Sequence, residues 1–280
     1  MISLIFGLIA ALCWGIHDIC VRYVSQQVGA FPALATILIV AALLTTPFAI
    51  LFGDWRAMDL SAIALAAASG AVFTVAYLGL YKAFEIGPVR LVAPILGAYP
   101  VLSVGWAALS GQGVSWDQWF AVGGVITGVA IVGLLSRDDE SGGSQSAAII
   151  WAVLGGTGFA GTFALGHAAA HAGSELPVIL VTQIVAVLGA IVLLLAAGGI
   201  RLPTRNALPM LGFMGLLDCV ALGIVIAAAG MARPEFAAVA SSTFGMITVI
   251  LAWLILRERV SPGQWYGVAI TFTAIGYLAI

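Results

Sequence analysis

The chain has 280 residues, 62% of them hydrophobic and only 8% charged, with a mean hydropathy of +1.16 and a formal net charge of −2. Soluble domains carry about 25% charged residues, so a soluble fold of this length has nowhere to hide so much apolar side chain. The composition predicts an all-α polytopic membrane protein, and the slightly acidic balance gives no basic footprint for nucleic acid.

A spanning helix needs about 20 mostly apolar residues. Ten stretches qualify: 3–22, 32–52, 62–82, 89–109, 118–136, 147–167, 177–197, 207–229, 235–256 and 263–280. Met1 to Ile9 has no basic n-region and the apolar run continues past Ala11, so the first stretch reads as a span and not as a cleavable signal. The second and seventh stretches are nearly clean apolar runs, as expected of lipid-facing or scaffold helices, with Gln183 placed for an interhelical hydrogen bond. The one real linker is 137–146, charged and then rich in Gly and Ser. It divides the chain into one five-helix unit over 1–136 and another over 147–280.

The two units are copies. Pro88 to Gly133 matches Pro234 to Ala279 at a constant spacing of 146 positions, so Val114-Ser115-x-x-Gln118-Trp119-Phe120 falls on Val260-Ser261-x-x-Gln264-Trp265-Tyr266. At a spacing of 145, Pro32 falls on Pro177, Ile39-Val40-Ala41 on Ile184-Val185-Ala186, and Gly70 on Gly215. Five is odd, so the second copy must enter the membrane from the opposite side. That is an inverted repeat, with the site expected near the midplane between the copies. Odd-numbered loops and their edges hold Arg22, Lys82, Arg90, Arg137, Arg201, Arg205, Arg257 and Arg259, while even-numbered ones hold Arg56 and Arg233. The bias predicts cytoplasmic odd loops and both termini on the far side.

Polar groups at membrane depth are functional candidates. Asp218 lies mid-helix and suits proton coupling or a substrate ammonium. His17 is a candidate cavity residue. Asp18, beside it, is expected near one end of its helix and four residues before Arg22, a favourable pairing distance. Neighbours on a helix point about 100° apart, so His17 and Asp18 are not expected to pair. Phe73, Tyr77 and Tyr81 form one stripe, and Phe159 and Phe163 begin another. With Trp14, Tyr99 and Phe244 they supply an aromatic lining. Such stripes also simply pack helices, but the tyrosine hydroxyls need partners. Trp116, Trp119, Trp265 and Tyr266 sit at helix starts as interface anchors. Pro94, Gly97 and Pro100 interrupt the fourth helix, freeing carbonyls that only protein or water can satisfy. Ser242 and Thr243 stand in the corresponding part of the ninth, where they either bind substrate or bond their own backbone. Cys13, Cys20 and Cys219 form no C-x-x-C pair and read as small core residues. No metal or other cofactor is expected.

These features resemble the drug/metabolite transporter superfamily, in its EamA branch. The resemblance rests on Trp14-Gly15, on the proline opening each second helix, on Ala93-Pro94 through Tyr99-Pro100, and on the two Ser-x-x-Gln-Trp starts. The second of those starts follows Arg257-Glu258-Arg259. The first unit departs from the pattern, having Gly111-Gln112-Gly113 where an acid is usual. The resemblance implies a non-enzymatic small-molecule transporter of a bacterial-type inner membrane, with the lipid bilayer and a metabolite as partners. Within that family the chain is similar to exporters of aromatic and hydrophobic amino acids. Alternating access through a central cavity by a monomer is the expected mode. A multidrug or cation efflux pump and a lipid-intermediate flippase are the alternatives.

Overall fold

The protein is described from a computed structural model covering residues 2–109, 113–136, 144–198, 203–229, 240–241 and 243–278. Ser242 lies outside the described residues, as do Pro234, Arg137, Arg201, Arg233, Gly111, Gln112 and most of the linker at 137–146.

The first unit contains α1 (Ile2–Val28), α2 (Ala30–Phe52), α3 (Leu60–Ile86), α4 (Val89–Gly97), α5 (Tyr99–Leu109) and α6 (Trp116–Leu135). The second contains α7 (Gln145–Ala172), α8 (Glu175–Ala196), α9 (Leu208–Ala229), α10 (Phe244–Ile255) and α11 (Pro262–Leu278). The described residues contain no strand. Among the described residues six helices, α1, α2, α3, α6, α7 and α8, are long and apolar enough to cross a membrane.

Local chemistry sets the boundaries. Gly29 at φ 90 makes the one-residue connection from α1 to α2, a conformation that costs glycine little. The Asp59 carboxylate accepts from the Ala62 N–H at 2.7 Å and starts α3. The repeated Ser-x-x-Gln proves to be a capping box in both units. The Ser115 N–H donates to Gln118 Oε1 (3.0 Å), and the Ser261 N–H donates to Gln264 Oε1 (2.8 Å). The interruption expected of the helix over 89–109 falls between Gly97 and Pro100. α4 ends at Gly97, Ala98 turns at ψ 4, and α5 begins at Tyr99. Pro100 has no N–H to continue the ladder, which ends the first helix there.

The copies are mutually inverted. Equivalent helices α2 and α8 run antiparallel: Gly53, just past the end of α2, meets Pro177 in the first turn of α8. Equivalent α6 and α11 do the same, with Gly263 at the start of α11 against Leu135 at the end of α6. The pseudo-twofold reaches single contacts. A Cβ on Gly70 would lie 2.7 Å from Val185 Cβ, and one on Gly215 would lie 2.9 Å from Val40 Cβ. Each member of one pair is 145 positions from its equivalent in the other.

The main seam between the units is α3 against α7. There Gly79 faces Gly155, and a Cβ on Gly158 would lie 2.7 Å from the Ala76 Cα. Small residues let the two backbones approach, which is how helices gain dispersion contact where water exclusion is not available. α2 and α8 pack on one another, so they act as scaffold. Gln183 is buried on α8, but its Oε1 has no hydrogen-bond partner, so that oxygen does not make the expected interhelical bond.

Candidate functional site

Close packing of α1 on α10 builds the centre. A Cβ on Gly15 would strike Ile247 Cγ2 at 2.7 Å, so only glycine lets the helices meet here. The neighbouring Trp14 ring therefore lies edge-on to Phe244, with centroids 6.1 Å apart. The Trp14 Nε1–H donates to Asp218 Oδ1 on α9 at 3.1 Å. The Tyr77 hydroxyl of α3 also faces the Asp218 carboxylate.

The expected aromatics become continuous. Phe73 and Tyr77 are 4.5 Å apart, Tyr77 stacks on Tyr81 at 6.0 Å, and Tyr77 meets Phe159 at 6.0 Å. Phe159 stacks on Phe163 at 6.3 Å, and Phe163 meets Tyr99 at 5.2 Å. Trp14, Phe73, Tyr99, Phe159, Phe244 and Asp218 are only half-buried, whereas Tyr77, Tyr81 and Pro94 are buried. Pro94 belongs to the α4–α10 crossing, where Gly245 packs near the Ala93 carbonyl. Thr243 donates its hydroxyl to the Ala240 carbonyl at 2.6 Å, within its own helix segment.

His17 and Asp18 depart from expectation. Both are 3% exposed, and His17 Nδ1 lies 3.7 Å from Asp18 Oδ1. Side-chain rotation brings together two groups whose Cβ vectors diverge. The Thr248 hydroxyl of α10 donates to Asp18 Oδ2 at 3.0 Å. Arg22 does not pair with Asp18. Its Nη1 donates to the carbonyls of Phe84 (2.6 Å) and Glu85 (3.3 Å), which have no partner within α3 because that helix is ending. Nor is Asp18 peripheral, since it is buried and bonded to Thr248 of the second unit. Sequence reading missed Asp18 as a central group because distance along α1 says nothing of where α10 crosses it. The i, i+4 relation to Trp14 was the available signal.

At the end of the bundle formed by the odd-numbered connections, Glu258 does work that its sequence position did not announce. Arg257 at φ 54 ends α10, and the Glu258 N–H reaches back to the Ala252 carbonyl at 3.2 Å. The carboxylate then accepts from the Val89 N–H (2.8 Å) and the Arg90 N–H (3.0 Å), with the Arg90 guanidinium 3.8 Å away. A loop of the second unit thus caps a helix of the first. Nearby, Lys82 pairs with Glu85 at 2.7 Å. Of the expected interface anchors, Trp116 and Tyr266 are well exposed, and Trp265 packs edge-on against Trp253 at 6.0 Å.

Among the described residues no three His, Cys, Asp or Glu side chains are grouped to hold a metal. The three cysteines are free and half-buried.

An inverted-repeat helical bundle with so many apolar helices defines a polytopic membrane protein. The chain belongs to the EamA-like transporter family, whose profile matches residues 1–134 and again 146–280, and is therefore a small-molecule membrane transporter. No curated protein matches it. Twenty-five solved chains do, among them one described as "Crystal structure of protein". That chain is 13% identical, and the match covers 99% of this chain and 96% of that one at a TM-score of 0.67. At that identity the likeness shows the fold alone.

Proposed function

We propose that the protein exports amino acids with aromatic or other hydrophobic side chains, moving them by alternating access through a compartment between its two units. The observation that carries this reading is the Trp14–Asp218 hydrogen bond set among half-buried aromatic rings from both units. Rings offer a bulky apolar body stacking and edge contacts, while the carboxylate offers a polar anchor. Asp218 is the proposed proton-coupling group, and Trp14, His17, Phe73, Tyr77, Tyr81, Pro94, Tyr99, Phe159, Phe163, Ser242, Thr243 and Phe244 the proposed substrate contacts. No Walker motif occurs, so a gradient rather than ATP drives the cycle. The protein works as a monomer in a bacterial-type inner membrane, with the linker at 137–146 and the other odd loops cytoplasmic and the termini outside.

One observation favours a second reading, efflux of organic cations: Asp18 is a second buried acid, one turn from the Trp14 that bonds Asp218. Counterflow of labelled phenylalanine in proteoliposomes, challenged by each of the common amino acids, by nucleobases and by quaternary ammonium compounds, separates the two. Aromatic and branched-chain amino acids should compete. Competition by the quaternary cations alone would replace the first reading with the second.

A further inference from the structure

Asp18 and Asp218 are brought together by the fold. Trp14 and Asp18 are one turn apart on the same face of α1, and Trp14 hydrogen-bonds Asp218. The donors these carboxylates receive, the Trp14 indole and the Thr248 hydroxyl, are neutral. Among the described residues no lysine or arginine pairs with either acid, and the arginine of α1 is committed to the Phe84 and Glu85 carbonyls. His17 is the one basic side chain at Asp18.

A third group points at the same place. Tyr81 is fully enclosed, yet its hydroxyl has no hydrogen-bond partner. Its ring stacks at 6.0 Å on Tyr77, one turn away on α3. Buried hydroxyls are almost always satisfied, so the orphan marks a place where a polar partner belongs. A primary ammonium carries three N–H donors and no acceptor, which matches two carboxylates and one hydroxyl. The site residues described are acids, aromatics, hydroxyls and one histidine, whose buried Nε2 likewise has no hydrogen-bond partner.

We propose that Asp18, Asp218 and the Tyr81 hydroxyl form one subsite for a single organic ammonium group, so that the transporter recognises its substrate by that ammonium plus an apolar body and does not require a carboxylate. This deepens the reading above and rests on it only in taking the same compartment as the substrate's. The subsite accepts aromatic monoamines as well as amino acids.

Calorimetry on the purified full-length protein tests this with three probes: phenylalanine, phenethylamine, which keeps only the ammonium, and phenylpropionate, which keeps only the carboxylate. Phenethylamine should bind within about tenfold of phenylalanine, and phenylpropionate should bind at least about tenfold more weakly than phenethylamine, as expected for loss of hydrogen bonds to a charged group. Asp18→Asn and Asp218→Asn should each weaken phenethylamine by about tenfold or more on the same ground. The inference is overturned if phenylpropionate equals phenethylamine, if phenethylamine does not bind, or if both Asn variants bind it unchanged. The wild-type comparison decides the matter even where a variant fails to fold. Phenylalanine counterflow is a separate arm: its absence, with acid-dependent phenethylamine binding intact, defeats amino-acid export and leaves the ammonium subsite standing.

Discussion

Trp14 donates its indole N–H to Asp218 across 3.1 Å, tying α1 of the first unit to α9 of the second between residues 204 positions apart. A hydrogen bond to a charged acceptor contributes about 1.5–3 kcal/mol. Asp218→Ala should lower stability in detergent by that amount, and Asp218→Asn, which keeps an acceptor, by less. A cycle with Trp14→Phe should show coupling of about 1 kcal/mol in thermal or denaturant unfolding. Additive losses would mean that the bond contributes nothing in solution.

The single hydroxyl proton of Thr248 is shared between Asp18 Oδ2 and the Phe244 carbonyl, each 3.0 Å away. Thr248→Val keeps the shape and deletes the donor, which should cost about 1–3 kcal/mol by leaving a buried acceptor short. Thr248→Ser should keep most of the wild-type stability. Equal melting curves for the Val and Ser variants would show that Asp18 does not depend on this contact.

Glycine substitutions should act with opposite signs according to place. At Gly158 an added methyl meets Ala76 backbone, so Gly158→Ala should cost about 1–3 kcal/mol through overpacking of the α3–α7 seam. At Gly123 on α6 nothing lies within 4 Å of the added atom, so Gly123→Ala should stabilise by about 0.5–1 kcal/mol through helix propensity. Melting temperatures of the two variants decide it, and a neutral Gly158→Ala would count against so close an approach of the backbones.

Glu258 caps α4 with both carboxylate oxygens. Glu258→Ala should cost about 1–2 kcal/mol, as loss of an anionic cap at a helix start does, and Glu258→Gln should recover part of it. Because the Glu258 contact joins the two units, the Ala variant should also exchange amides faster at Val89 and Arg90 than at the start of α8. Unchanged protection at Val89 and Arg90 would remove the cap from the account.

Much of the architecture was legible in the residues. The Val-Ser-x-x-Gln-Trp repeat announced two copies, and its reason is local: a capping box needs only residues three apart. The odd helix count forced inversion, as the antiparallel runs of α2 with α8 and α6 with α11 show. The stripe of Phe73, Tyr77 and Tyr81 was equally visible, since helical periodicity alone puts those rings on one face.

What the chain by itself determined is therefore the set of short-range and compositional facts: an apolar, helical, duplicated membrane protein with acids and aromatics at depth. Only the tertiary structure decided which groups meet. It placed Asp18 against Thr248, sent Arg22 to the end of α3, and turned Glu258 onto α4. Capping and periodicity are fixed within a turn or two of chain. Partners 60 to more than 200 positions apart depend on crossings such as α1 over α10, which the small residues along several helices set jointly and no single segment encodes.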